Sequence, residues 1–227
     1  MEKHSSSKTS TVESPTNKDV GKEKLYWNRF YSKSSGVPVS PSQFCVFVST
    51  EVDKNIPIVE FGCGNGRDSF YFANQGFLVL ASDISQEAIK SDQGSSGCGA
   101  MFWECDCTDA AGVADLILKA REINPTIAVY NRFFLHSIDE HQQQLFFSAL
   151  GKSLVSGDKL YMEFRCNLDE DLPKVYGKSH YRRYVETKEI LLNLTNLGFE
   201  IKYEVTGQGM AAYKNEDPFV SRVIATK

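Results

Sequence analysis

Residues 56–68 read Ile56-Pro57-Ile58-Val59-Glu60-Phe61-Gly62-Cys63-Gly64-Asn65-Gly66-Arg67-Asp68, and the reading of the chain starts there. Ile56, Ile58 and Val59 form a short apolar, partly β-branched run, the pattern of a buried strand. Gly62, Gly64 and Gly66 alternate through the turn behind it, and Arg67-Asp68-Ser69-Phe70-Tyr71-Phe72 opens a helix. Glycine serves where φ must be positive or where a ligand lies against bare backbone. Strand, glycine-rich turn and helix together predict backbone N–H groups gathered around a nucleotide-like ligand. The spacing is E-x-G-x-G-x-G from Glu60, which is neither the G-x-G-x-x-G dinucleotide fingerprint nor the phosphate loop ending in G-K-[ST].

Strand and helix patterns alternate onward from this point. The pattern predicts strands at 77–85, 100–109, 126–130 and 158–165, then alternating strands at 199–205 and 219–225. Helices are predicted between them, with Gly76, Gly151 and Gly198 as stops. Asp139 with Gln142 three residues later is a capping box. This is the pattern of a doubly wound α/β sheet. A length of 227 residues, 41% apolar and 24% charged, suits one sizeable core.

Two further acids fall where such a sheet binds ligands. Asp83 ends the second strand, 23 residues after Glu60, near the roughly 20-residue interval at which an acid meets ribose hydroxyls. The alternative for Asp83 is a cap on the helix that follows. Asp106 ends the third strand, with Asp109 close by as a helix cap or a competing ligand.

Val59 to Gly66, with the acid two places before the first glycine and the third glycine, resembles the first motif of class I S-adenosylmethionine-dependent methyltransferases. The resemblance covers about residues 55–227 and is specific for the cofactor. It implies a mostly parallel seven-stranded sheet with the last strand antiparallel, and S-adenosyl-L-methionine as cofactor, leaving as S-adenosyl-L-homocysteine. Glu60, Gly62, Cys63 and Gly64 would cradle the cofactor, Asp83 and Ile84 its ribose, and Asp106 and Cys107 its adenine. Asn131 or Arg132 would stand near the methionine. A non-catalytic, cofactor-binding protein of the same fold is the alternative function.

Ahead of the sheet, residues 1–24 are polar and expected to be disordered. Residues 25–54 are expected to form a helical lid. In it, Tyr26 with Phe30 and Trp27 with Tyr31 make two aromatic rows at i, i+4 spacing. The lid reading, like the placing of Trp27 on the cofactor and Tyr31 on the substrate, is what the resemblance implies. Packing on the core is the alternative. Ser40 is the expected N-cap of a helix beginning near Pro41.

The methyl acceptor is expected at the carboxyl edge of the sheet. Arg132, Arg165, His180, Tyr181 and Arg182 are the candidate substrate residues, the last three inside an insert at about 166–185. Arginine holds phosphate or carboxylate through bidentate charge-assisted bonds, so the acceptor is expected to be a small anion, methylated on oxygen or nitrogen. The alternative is that one or two of these arginines form structural pairs with Glu163 or Asp169, and the triplet Asp169-Glu170-Asp171 reads as a solvated face. His136 is the candidate general base, with a structural role as its alternative.

Six cysteines, at 45, 63, 98, 105, 107 and 166, lack zinc-like spacing, so no metal is expected. Buried free thiols are expected, with a Cys105–Cys107 disulfide conceivable. A net charge of −4, no apolar run of roughly 20 residues and no apolar leader give no case for nucleic-acid or membrane partners. A cytoplasmic monomer or homodimer is the expectation.

Overall fold

The fold is seen in a computed structural model whose described residues are 17–33, 40–93, 99–175 and 180–227. Residues 1–16 of the expected tail, and Cys98, lie outside them. The strands are β1 (Ile58–Phe61), β2 (Val79–Asp83), β3 (Ala100–Glu104), β4 (Ala128–Arg132), β5 (Lys159–Arg165), β6 (Glu200–Gly207) and β7 (Val220–Thr226). They form one sheet in the order β3-β2-β1-β4-β5-β7-β6. β1 to β5 run parallel, and β7 is inserted antiparallel between β5 and β6. The order reverses beside β1, which lies between β2 and β4. The crevice outside the carboxyl ends of these strands is where open α/β sheets bind ligands.

β1 and β2 are buried along their whole length, because helices cover both faces of the sheet. On one face Val59, Phe61, Val129, Leu160, Met162 and Phe164 pack against α5 (Ala110–Arg121), α6 (Glu140–Ser153) and α7 (Thr187–Asn196). On the other, Ile58, Ala81, Tyr130 and Tyr161 meet α2 (Gln43–Glu51), α3 (Arg67–Asn74) and α4 (Gln86–Gln93). Period-two alternation along β5 produces this split, with Leu160, Met162 and Phe164 on one side and Tyr161 on the other.

Several expectations are corrected here. Helix α1 (Asn17–Tyr31) begins eight positions before Leu25, inside the expected disordered tail. Its described side chains find partners on the domain: Lys24 pairs with Glu104, and Gln142 donates to Glu23 at 2.6 Å. Helix α2 is no part of a lid. Phe44, Cys45 and Val48 are fully buried, and Phe44 stacks on Tyr130 at 5.3 Å. Its N-cap is Ser42 rather than Ser40, because the Ser42 hydroxyl accepts from Cys45 N at 2.9 Å. The capping box of Asp139 and Gln142 is present in both directions, at 2.8 Å each way.

Cys105 and Cys107 are both free thiols, and both lie beyond β3, which ends at Glu104. Asp169 is buried, unlike its exposed neighbours Glu170 and Asp171. It pairs with Arg165 four residues earlier, so the triplet is not a uniformly solvated face.

Candidate functional site

The turn after β1 is laced to the end of β2. Gly62 N and Cys63 N donate to the Ser82 carbonyl at 2.8 and 2.9 Å, and Gly64 N donates to Asp83 Oδ2 at 2.9 Å. These N–H groups therefore hold the turn together rather than standing open to a ligand, contrary to the expectation from the motif. The glycines are required for another reason. Gly62 and Gly64 have φ of 76° and 58°, which side chains rarely adopt. A Cβ on Gly62 would lie 2.6 Å from the Phe134 ring, and one on Gly64 would strike the Tyr31 hydroxyl.

Around this turn lie two adjoining cavities. The larger, about 420 Å³, is lined by Glu60, Gly62, Cys63 and Gly64 and by Arg132, His136, Arg165, His180, Tyr181 and Arg182. The smaller, about 90 Å³, is lined by Asp83, Ile84, Asp106 and Cys107, with Cys105 beside them. Trp27, Tyr31, Gly62, Phe133 and Ser137 border both. Of the candidate residues, Asn131 alone lines neither cavity. It is fully buried and its amide has no partner among the described residues. Pleating places it on the opposite side of β4 from its neighbours, and Arg132 lines the cavity instead.

The acids sit at the tips of their strands. Glu60 is buried and accepts from the Ser69 hydroxyl at 2.6 Å. Asp83 accepts from Ser85 N at 2.8 Å as well as from Gly64 N. Burial raises its carboxyl above the ordinary range, with these backbone bonds opposing the rise. Asp106 Oδ1 accepts from Thr108 N and Oγ1, both at 2.8 Å, leaving Oδ2 as the carboxylate's other oxygen. Asp109 is the N-cap of α5, which removes it as a competing ligand. Burial and three nearby acids push the Cys105 thiol up to about 12, so it meets a ligand as a neutral, soft group.

The opposite wall is basic. Arg132 pairs with Glu163 at 2.7 Å, and Glu163 also holds Arg222 at 2.7 Å. Arg165 does not emerge free at the strand end. It is buried between Asp169 at 2.9 Å and Glu216 at 2.5 Å. Arg182 is half-buried, and burial with Arg165 nearby lowers its pKa. Among the described residues of this wall, Arg132, Arg165 and Arg222 pair with Glu163, Asp169 and Glu216, and Arg182 lies near Arg165.

His136 sits in this wall. Its Nδ1 accepts from Arg165 N at 3.1 Å, and its carbonyl accepts from Arg183 N at 2.8 Å, which fastens the insert to the sheet edge. Burial, then Arg165, Arg182, Arg132 and Arg183, hold its pKa well below the usual histidine range. A neutral imidazole whose Nδ1 accepts a hydrogen bond carries its proton on Nε2. His136 is accordingly placed to donate, and the general-base role expected of it does not fit this arrangement.

Helix α1 lines both cavities through Trp27 and Tyr31. Trp27 stacks on Tyr31 at 6.0 Å, while Tyr26, Trp27 and Phe30 surround the His180 ring edge-on at 5.8, 5.4 and 4.7 Å. Both aromatic rows of α1 therefore converge on the insert. Asn28 Oδ1 accepts from the Ser85 hydroxyl at 2.9 Å, tying α1 to the loop after β2.

Sequence reasoning passed over two parts of this site. Phe133 adopts φ 56°, a left-handed conformation rare for a bulky residue. It turns the chain so that its ring lies 3.9 Å beneath the Arg132 guanidinium and 5.1 Å from His136. The pair Phe133-Phe134 directly after a strand was the available signal. The second part is Asp68, which accepts from Ser42 N, Ser42 Oγ and the Tyr130 hydroxyl at 2.7–2.8 Å. Burial would raise its carboxyl, but Arg67, Arg132 and the bonds from Ser42 outweigh it and hold the group below the usual range. Nothing in the sequence links Ser42 to Asp68 and Tyr130.

Among the described residues no cluster of His, Cys, Asp and Glu is arranged to hold a metal ion, and no helix is long and apolar enough to cross a membrane. No protein-family model matches the sequence, and no curated protein is similar to it at the sequence level. Solved structures do resemble it. An S-adenosylmethionine-dependent methyltransferase from Anabaena variabilis ATCC 29413 superposes with a TM-score of 0.72 at 19% identity, over 97% of this chain and 99% of that one. Magnesium protoporphyrin IX methyltransferase from Synechocystis PCC 6803, with bound S-adenosylhomocysteine, gives 0.58 at 16% identity, over 95% and 90%. A glycopeptide N-methyltransferase complexed with S-adenosyl-L-homocysteine gives 0.62 at 13% identity, over 86% and 94%. With its strand order and single inserted antiparallel strand, the chain has the class I S-adenosylmethionine-dependent methyltransferase fold.

Proposed function

We propose that this protein transfers a methyl group from S-adenosyl-L-methionine to a small anionic acceptor. The observation that carries the reading is the pairing of an acid-tipped wall with a basic one across two adjoining cavities. Asp83 suits the ribose diol, because a carboxylate can accept two hydrogen bonds from vicinal hydroxyls. Asp106 suits the adenine amino group, with Cys105 and Cys107 as soft contacts beside the ring. Glu60 suits the ammonium of the methionine part, and Trp27 and Tyr31 cover both cavities.

The bound cofactor supplies an activated methyl on a sulfonium, so the chain's task is alignment and exclusion of water. Arg132, Arg165 and Arg182, which all line the larger cavity, support an anionic acceptor, and Tyr181, which is 54% exposed, lies at its mouth. A small-molecule acceptor and a cytoplasmic setting belong to this proposal.

Calorimetric titration with S-adenosyl-L-methionine, S-adenosyl-L-homocysteine and NAD tests it. The two sulfur ligands should bind and NAD should not. Binding of NAD alone, or of none of the three, would overturn the reading.

A further inference from the structure

Among the described residues, the carboxylates on the cavity wall are bonded within the protein, and the second imidazole there, His180, is packed edge-on among Tyr26, Trp27 and Phe30. Of those carboxylates, Glu60 accepts from Ser69, Asp68 from Ser42 and Tyr130, and Glu216 from Arg165. The Tyr181 hydroxyl is pushed further from ionisation by burial. His136 is 6% exposed, and its Nδ1 is taken by Arg165 N. Its Nε2 has no partner among the described residues and is the ring's remaining polar atom on the cavity wall. An N–H that faces the cavity without a protein partner is free to meet the oxygen of a ligand there.

We infer that His136 is a positioning donor: its Nε2–H holds an oxygen of an acceptor that is already ionised, a carboxylate or a phosphate. This deepens the function proposed above and rests on it. Transfer to such an oxygen forms the O–C bond as the C–S bond breaks. The electron pair stays on sulfur as a neutral thioether, and no proton leaves the acceptor. A methyl transfer to a neutral hydroxyl would release a proton and need a base to take it. The cationic groups facing His136 are Arg132 from β4, Arg165 from β5, and Arg182 and Arg183 from the insert. The neighbouring carboxylates Glu163, Asp169 and Glu216 are each bonded to arginine, so the ring is kept neutral while the oxygen it meets is anionic.

Nitrogen-15 NMR of the histidine-labelled full-length chain tests the donor. The His136 signal, identified by its absence in His136→Gln, should show the Nε2–H tautomer throughout about pH 5.5 to 8. An Nδ1–H tautomer, or protonation near pH 6.5, would overturn the inference. This readout needs no ligand, so it stands apart from the calorimetry that tests the cofactor.

Benzoate and phenyl phosphate, with benzamide as the neutral control, then probe the chain saturated with S-adenosyl-L-homocysteine. At least one anion should bind and shift the Nε2–H resonance, and which of the two binds distinguishes carboxylate from phosphate. His136→Gln, whose amide can place a donor near the same point, should keep that affinity within about threefold. His136→Leu should lose about tenfold or more, the worth of one charge-assisted hydrogen bond. Equal binding by benzamide, no binding by either anion, or full affinity in His136→Leu would each refute the donor role.

Discussion

Glu60, Asp83 and Asp106 on one side of the crevice, and Arg132, Arg165 and His136 on the other, are held by bonds of very different reach. The acids bond over short to moderate spans: Asp106 to Thr108 two residues on, Asp83 to Ser85 two on and to Gly64 N 19 residues back, and Glu60 to Ser69 nine on. The basic groups add much longer reaches to the short Arg165–Asp169 pair. Arg165 meets Glu216 across 51 residues, Arg222 meets Glu163 across 59, and His136 meets Arg165 N across 29. A locally held wall forms with its turn. A wall built from distant partners forms only once β5, β7 and the insert are assembled. The difference predicts that damage to the acid wall is felt in cofactor binding, whereas damage to the basic wall is felt first in stability.

The strongest test of that contrast is Arg165→Met. It takes the Arg165 guanidinium away from buried Asp169 and Glu216, and removing one partner of a buried pair costs about 3–5 kcal/mol. At roughly 2–4 °C per kcal/mol for a chain of this size, thermal unfolding should show a drop on the order of 10 °C. Affinity of the remaining folded protein for S-adenosyl-L-homocysteine should change little. A large loss of that affinity with normal stability would invert the comparison.

Asp83→Ala is the matching change on the acid wall. It removes the proposed ribose contacts and releases Gly64 N and Ser85 N. Calorimetry should show S-adenosyl-L-homocysteine binding weakened on the order of 100-fold, about 2.7 kcal/mol. Unchanged affinity would remove Asp83 from the cofactor site.

Gly64→Ala sharpens the local side. Forcing a side chain to φ 58° costs roughly 1–2 kcal/mol, and the new Cβ must also displace the Tyr31 hydroxyl. Denaturant unfolding should register that loss, and S-adenosyl-L-homocysteine binding should weaken because the turn and α1 shift together. Wild-type behaviour in both would show that the turn tolerates a Cβ.

The smallest expected effect is a pH dependence from the basic wall. His136 is held below its ordinary value of 6.5 in the folded chain. Below that pH the unfolded chain therefore binds a proton that the folded one refuses. Stability falls as pH drops through 6.5 toward the folded value, at no more than about 1.4 kcal/mol per pH unit for one group. Urea unfolding at about pH 7.5 and 5.5 should show a smaller difference in His136→Gln than in the wild type, by about 1 kcal/mol. An identical difference would mean that His136 is not held neutral.

Legibility in the sequence follows the same division. The strand at Ile58, the positive-φ glycine turn and the capping box at Asp139 are short-range patterns that the structure bears out, and the acids at 60, 83 and 106 line the two cavities. What α1 does was only half visible. Its aromatic spacing could be read from the chain, but its start at Asn17 and its closure on His180 depend on partners far along the sequence. Arg165 could be placed at a strand end by alternation, yet its capture by Glu216 could not be foreseen from residues 51 apart.

The sequence by itself determined the alternation of strand and helix, the left-handed glycine turn and the acids at the strand tips. Each of these depends on backbone preference, side-chain period or a neighbour a few residues away. Only the tertiary structure decided which arginines are neutralised, which nitrogen of His136 carries the proton, and that Arg132 rather than Asn131 lines the cavity. Those outcomes depend on desolvation and on partners brought together from separate strands, and no local pattern encodes them.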